Sequence, residues 1–192
     1  RFGAGHQLIA SQLSQQLGVS RTPIREALHR LQVEGLVTVS ESGISIVPDV
    51  TYENIEAATE IRELLEVFAC KRAAQSITGE QIEKLRTLHQ QETENLRHCD
   101  EGALSELNTE IHRTILDAAG NVVLRDVVGC LLTRVPSFRL FALGSRDDLK
   151  QFVEDHGRII EALAMGDGDQ AARVMSGHIH HAHQLLLDSM PE

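Results

Sequence analysis

The spacing of apolar residues changes period twice in the first fifty positions. Leu13 and Leu17 lie four apart in LIASQLSQQLGV, and Ile24, Ala27, Leu28 and Leu31 recur at helical intervals in RTPIREALHRLQVEGL. Two helices are therefore expected, one from about Leu8 to Gly18 and one beginning just after Ser20. Gly18 and Gly35 are placed to stop them in the left-handed conformation, Ser20 to cap the second, and Pro23 is tolerated in its first turn. The period then drops to two: LVTVS and ISIVP alternate β-branched residues around ESG, the pattern of two short strands joined by a tight turn. After residue 47 no alternation returns. IEAATEIRELLEVFACKRAAQSI sets Ile61, Leu64, Leu65, Phe68 and Ala69 in register, and TGEQIEKLRTLHQQETENLRHC opens with Thr78 as a cap. Further helices are expected across ALSELNTEIHRTILDAAG, NVVLRDVVGCLLTRV, DLKQFVEDHGRIIEALAMG and GDQAARVMSGHIHHAHQLLLDSM, with Pro136 kinking the chain after the second of these.

The expected fold is mainly α. Residues 1–48 read as a winged helix-turn-helix, residues 51–192 as an all-α bundle of six or seven helices, and Pro48–Asp49 as a linker too short to be a flexible tether. The outward first turn of the second helix presents Ser20, Arg21, Thr22 and Arg25 together. A recognition helix enters the DNA major groove by that end, where free N–H groups favour phosphate and an arginine fork grips guanine or phosphate. An ordinary helical hairpin with two surface arginines is the alternative, and the two-stranded wing that follows weighs against it.

Composition narrows the class further. Of 192 residues, 42% are hydrophobic and only 3% aromatic with no Trp, enough to build packed helices without disulfide or metal staples. Cys70, Cys99 and Cys130 are far apart and never form CxxC, which reads as reduced thiols of a cytosolic protein. No apolar run approaches a membrane span and no signal-peptide pattern appears, so a cytoplasmic chain with no membrane partner is expected. The net charge of −10 sits badly with DNA until it is divided along the chain. Arg1, Arg21, Arg25 and Arg30 balance Glu26, Glu34, Glu41 and Asp49 in the first fifty residues, so the acidity belongs wholly to the remainder. A neutral winged helix binds weakly alone, so two copies on a palindromic double-stranded site, hence a homodimer, are expected.

Within the helical region, Asn108 and His112 lie four apart in LNTEIH, on one helical face. His112 is in register with Ile111 and Ile115, His156 with Phe152, Ile159 and Ile160, and His178 with Val174. Three inward imidazoles need partners. Hydrogen bonds within an ordinary core would supply them; so would one divalent cation, with Asn108 as an oxygen ligand and open positions for water or a ligand. His180, His181 and His183 spread around their helix and read as solvated surface.

Two stretches resemble known families. GVSRTPIREALHRLQVEGLV followed by SGISIV looks like the DNA-binding domain of the GntR family of bacterial transcription regulators. The resemblance implies DNA contacts from Ser20, Arg21, Thr22 and Arg25, with Gly43 as the wing-tip glycine near the minor groove. Acidic Glu41 departs from the basic residue common in that wing, and a further helix would precede Arg1, so the chain is expected to be short at its N-terminus. EIRELLE, NxxxH followed by AAGN, EDHGRIIEALAMGD and MSGHI resemble the FCD ligand-binding domain of the FadR-like branch. The ligands that resemblance implies are Asn108, His112, His156 and His178, with Asn where Asp is commoner. It also implies a small organic acid effector held beside the metal, with Arg62 as the carried-over arginine and Arg134, Ser137 and Arg139 of LTRVPSFRL as further candidates. For those arginines, surface ion pairs are the alternative. Zinc is the metal expected first from three imidazoles, with nickel or manganese as alternatives. The function that follows is a DNA-binding repressor controlled by an acid at a metal-containing pocket. A metal-dependent helical-bundle enzyme with an accessory winged helix is the rival.

Overall fold

The computed structural model describes residues 5–33, 37–40, 42–48, 52–98, 100–134 and 145–188. The chain divides into two compact units, Arg1–Asn54 and Ile55–Glu192.

The first unit holds a three-stranded antiparallel sheet and two helices. Strands β1 (Gln7–Leu8), β2 (Thr38–Val39) and β3 (Ser45–Ile46) are ordered β1-β3-β2, with Gln7 and Thr38 both opposite Ile46. The expected hairpin is therefore present, but with a third strand that the periodicity did not show. Leu8 belongs to that strand, and helix α1 begins only at Ala10 and runs to Leu17. Two residues are too short to display alternation, which is why Leu8 read as helix. Gly18 ends α1 at φ 67°, and Ser14 Oγ donates to the Val19 carbonyl at 2.6 Å to close the turn. Helix α2 (Arg21–Val33) follows at once. Leu8, Ile24, Leu28 and Val37 form the core, with Ala10, Leu13, Leu31 and Val47 packed against it. Leu17 and Ala27, both expected inward, are exposed. The inward stripe of α2 is thus narrower than its apolar pattern.

The second unit contains six described helices: α3 (Tyr52–Ser76), α4 (Gly79–His98), α5 (Glu101–Ala118), α6 (Val122–Arg134), α7 (Arg146–Ala164) and α8 (Gly168–Asp188). Their starts carry the chemistry expected of caps. Thr78 Oγ1 accepts from Gln81 N while Gln81 Oε1 accepts from Thr78 N, Asp100 accepts from Ala103 N, and Ser145 and Asp148 form a reciprocal box. Cys70, Leu85, Ile111, Ile115, Ile159, Ile160, Leu163, Met175 and Ile179 lie in the main core. Two glycines set helix distances. A Cβ on Gly168 would stand 3.0 Å from Lys71 Cα, so α8 starts hard against α3; one on Gly157 would meet the His89 ring at 3.0 Å, so α7 lies close on α4.

Helix α3 departs from its apolar pattern. Ile61, Leu64 and Phe68 are exposed, and the buried face is Ile55, Thr59, Arg62, Glu66, Ala69, Cys70 and Ala73. Polar residues took the inward face because they have partners there, and the larger hydrophobes were left outside. Cys70 is buried and Cys130 exposed, neither in a disulfide; Cys99 and the expected kink at Pro136 lie outside the described residues. Among the described residues, no helix is long and apolar enough to cross a membrane.

Candidate functional site

On the first unit, burial of Ile24 and Leu28 rolls the opposite face of α2 outward. Ser20, Arg21, Thr22 and Arg25 are all exposed there, gathered over the last residue before the helix and its first turn and a half. Among the described residues no salt bridge engages Arg21 or Arg25, whereas the arginines of the second unit are extensively paired. The wing turn is tied by Gly43 N donating to the Ser40 carbonyl at 2.8 Å and Ser40 N to the Ile44 carbonyl at 2.9 Å. Gly43 takes φ 79°, a conformation that a side chain would strain.

In the second unit, α5, α7 and α8 bring His112, His156 and His178 together. All three are buried, and one nitrogen from each lies within 4.8 Å of the others. Their ring centroids are 4.6 to 5.5 Å apart. Asn108, one turn before His112 on α5, is buried too. Nε2 of His112 and Nε2 of His178 stand 3.3 Å apart, and Nε2 of His156 is buried without a hydrogen-bond partner. Two nitrogens sharing one cation at bonds of about 2.0–2.1 Å adopt a separation close to this. A buried lone pair without a donor is the other mark of a cation site, so the donor set fits a divalent metal.

Two carboxylates orient the rings. His112 Nδ1 is hydrogen-bonded to Glu66 Oε2, and His156 Nδ1 donates to the Glu92 carboxylate at 2.9 Å. Each hydrogen bond spends Nδ1 as a donor and leaves Nε2 as a lone pair, the arrangement found behind metal-ligating histidines. Glu92 is placed by its helix, since His89 one turn earlier bonds the Val153 carbonyl at 3.0 Å beside Gly157. Arg62 Nε donates to Glu66 Oε1 at 2.5 Å. Burial works to raise the Glu66 carboxyl, but the Arg62 guanidinium and His112 outweigh it and hold it at about 2. Burial pushes His112 down despite Glu66, and pushes His178 well down with help from His156 and His112. Both imidazoles are thus held neutral, which is the form a metal requires.

Glu66 and Glu92 were not foreseen from the sequence. Glu66 lies one turn after Arg62 on the buried face of α3; its signal was an arginine–glutamate pair at i, i+4 in IRELLE. Glu92 carried no comparable signal in QQETENLRH. Arg62 is buried at the site, as its candidacy requires, with its Nε committed to Glu66. The side chain of Arg134, and Ser137 and Arg139 altogether, lie outside the described residues. The expectation that the neighbouring histidines are solvated holds for His180 alone. His181 is half-buried, stacked on Phe152 at 4.7 Å and bonded to Asp148 Oδ1 at 3.0 Å, and His183 Nε2 is buried. Phe152 in turn meets His178 edge-on at 5.3 Å.

Comparison with known proteins gives this arrangement its family. The FCD domain matches residues 57–181, well over half of the chain, and the bacterial regulatory proteins of the gntR family match residues 1–46. The chain belongs to the GntR family. It is similar to the HTH-type transcriptional repressor RspR of Escherichia coli K12, 27% identical over 177 residues that cover 91% of this chain and 77% of that one. The Nta operon transcriptional regulator of Aminobacter aminovorans is 29% identical over 186 residues, covering 96% and 87%. The structure of E. coli McbR/YncC shares the fold with a TM-score of 0.86 at 22% identity, over 97% of this chain and 89% of that one. This GntR-family chain is a DNA-binding transcription regulator rather than an enzyme, and the alternative of a metal-dependent helical-bundle enzyme falls away.

Proposed function

We propose that this GntR-family regulator is a homodimeric repressor whose hold on a palindromic operator is set by a small organic acid bound beside a divalent metal in the second unit. The observation that carries the reading is the convergence of His112, His156 and His178, two of them backed by buried carboxylates and one with an orphaned Nε2. Asn108, His112, His156 and His178 would hold the metal, zinc first, and when bound it would supply positive charge for a carboxylate. Arg62 lies close enough to lower the His178 pKa; with its Nε paired to Glu66, its remaining N–H groups would be the ones offered to the acid. Arg134, Ser137 and Arg139 remain candidates for the rest of the acid. With Asn in place of a carboxylate ligand, the site carries more net positive charge, which favours an anionic effector.

Repression is inferred from relatives named as repressors, RspR among them. The operator contacts fall to Ser20, Arg21, Thr22, Arg25 and Gly43. A second copy is favoured by apolar surface left uncovered among the described residues. Ile61, Leu64 and Phe68 on α3, together with Val123 and Val127 on α6, are exposed, and the two helices are joined beneath them by Leu65, Ala69, Leu124 and Val128. The effector can regulate only by binding one arrangement of the dimer better than the other.

Metal analysis of the purified chain, with thermal shift against sugar acids, hydroxy acids and dicarboxylates in the presence and absence of chelator, tests the proposal. Near-stoichiometric metal and an acid whose stabilisation vanishes on chelation support it. Absence of metal uptake after zinc is added back overturns it. Leu64→Asp should convert the dimer to a monomer in sedimentation, and a wild-type monomer would remove the palindromic reading.

A further inference from the structure

In the second unit, α7 and α8 leave between them a groove of about 360 Å³, lined by Asp155 and Arg158 from one helix and Gln170, Arg173, Val174 and Gly177 from the other. We propose that this groove binds a small amino acid as its zwitterion, the ammonium group on Asp155 and the carboxylate on Arg173 with Arg158 beside it. The site is separate from the histidine cluster. Asp155 and Gly177 each precede a cluster histidine by one residue, and one residue is about 100° round a helix, so the groove opens on a different face of the same two helices.

Each end of the groove suits one charge. Three residues turn the chain between Ala164 and Gly168, so the helices run antiparallel; this sets Asp155 beside Gly177 at one end and Gln170 with Arg173 toward the other. The Asp155 carboxylate is buried, its side chain 8% exposed, and takes Gln151 Nε2 at 3.0 Å and Arg158 Nη1 at 3.3 Å, both on Oδ1. Oδ2 remains as an acceptor for a further donor. A Cβ on Gly177 would meet nothing within 4 Å, which leaves room there for an ammonium group. Toward the other end, Arg173 is exposed and in no ion pair among the described residues. Its Nη2 donates to the neutral Gln170 Oε1 at 2.8 Å, and Asp169, one turn earlier on the helix, is paired with Lys71 at 2.9 Å. The rest of the Arg173 fork is open to a carboxylate.

The placing of charges selects the ligand class. A simple carboxylate would meet Asp155 at one end, and a simple amine would meet two arginines toward the other. A zwitterion is matched at both and adds no net charge to the groove. Gly177 and Arg173 lie four residues apart, about 6 Å along α8, a span that a short amino acid bridges. Val174, buried between them, is the apolar floor for its carbons.

The test uses the full chain in chelator, so that the histidine cluster holds no metal, with NMR of the arginine Nε–H groups and the Gly177 amide. β-Alanine should move the Arg173 Nε–H and Gly177 signals along a saturable curve with a dissociation constant of about 1 mM. Propionate, which lacks the amine, and ethylamine, which lacks the carboxylate, should each bind about tenfold more weakly or worse. Arg173→Gln, a change at an exposed position, should weaken β-alanine about tenfold with the urea midpoint unmoved, and Asp155→Asn should erase the preference for β-alanine over propionate. Propionate bound as tightly as β-alanine, or a β-alanine response that survives Arg173→Gln, overturns the site. So does the absence of any response up to about 50 mM. Because the chain is metal-free throughout, these outcomes are independent of whether zinc and an acid act at the histidines.

Discussion

In the first unit Ser20, Arg21, Thr22 and Arg25 stand in water above a core of Leu8, Ile24, Leu28 and Val37, whereas in the second His112, His156, His178, Glu66 and Arg62 are themselves part of the core. The difference separates two ways of attaching function to a fold. On the winged helix, apolar burial on one face of α2 fixes the backbone, and the opposite face is free to vary for recognition. Changes there alter binding and leave folding alone. In the helical bundle the same side chains do both jobs. An imidazole offered to a ligand is also a buried polar group that must be satisfied, so function and stability are read from one set of contacts.

The largest effect that follows is on Glu66. Glu66→Ala leaves the Arg62 guanidinium buried without its partner and His112 Nδ1 without its acceptor. Loss of one member of such a buried set costs about 3–5 kcal/mol, to be measured by urea unfolding of the full chain followed by helical circular dichroism. A cost under about 1 kcal/mol would mean that the site is wetter and looser than its burial indicates, and the contrast between the units would fail. Arg62→Met combined with Glu66→Leu sharpens the point. With charge and counter-charge both gone, much of the stability should return while metal uptake stays weak.

On the winged helix the ordering reverses. Arg21→Ala and Arg25→Ala should each weaken duplex binding by about 1–3 kcal/mol, with the unfolding free energy unchanged within about 0.5 kcal/mol. Paired measurements of affinity and unfolding on the same samples check this. A loss of stability equal to the loss of affinity would show that these arginines hold the fold together and that their exposure misleads.

That contrast also governs how much was legible in the sequence. The two helices, the wing hairpin and the helical second unit follow from periodicity and punctuation: Gly18, the ESG turn, and the cap at Thr78. The histidine cluster was visible because His112, His156 and His178 interrupt apolar stripes, and an interruption on a buried face is conspicuous. Its carboxylate support was not. Glu66 and Glu92 contribute from α3 and α4, far away in sequence, and a charged residue on a helix ordinarily reads as solvated. The same bias misplaced the faces of α3. Ile61, Leu64 and Phe68 fall in apolar register and are exposed, while Arg62 and Glu66 neutralise one another and occupy the buried side. Strand β1 escaped because two residues carry no period, and its pairing with β3 is a tertiary fact.

Smaller effects should appear one layer behind the ligands. Glu92→Gln keeps an acceptor for His156 Nδ1 but removes its charge, and should weaken zinc affinity by about tenfold to a hundredfold in competition titrations against a chromophoric chelator. Affinity unchanged by the substitution would dissociate Glu92 from the cluster. Acidification tests the same region without mutation. His112 and His178 are held below the ordinary histidine value of 6.5 when folded, so below about pH 6.5 the unfolded chain binds protons that the native chain refuses. Stability of the metal-free chain should therefore be level above that pH and fall progressively below it. Replacing both histidines by Gln should flatten the fall. A flat profile in the unaltered chain would show that the native imidazoles protonate freely, in conflict with their burial.

The smallest effect lies where the bundle cap meets the histidine helix. Ser145 Oγ accepts from Asp148 N at 3.2 Å and donates to Asp148 Oδ2 at 2.6 Å, and Asp148 Oδ1 takes His181 Nε2 at 3.0 Å. The Ser145 hydroxyl, then His181, hold the Asp148 carboxyl below its usual range, so one carboxylate both caps α7 and ties it to α8. Ser145→Ala should cost about 1 kcal/mol, an ordinary cap value. His181→Ala should cost a similar amount. If the cap and the tie share Asp148 as the geometry requires, the double variant will lose less than the sum of the two, because an Asp148 already released from one partner holds the other less firmly. Strict additivity would instead make the cap a local matter of α7. His181 would then reach His178 only through its stacking on Phe152, and the histidine cluster would sit in a core insulated from the end of the helix that supports it.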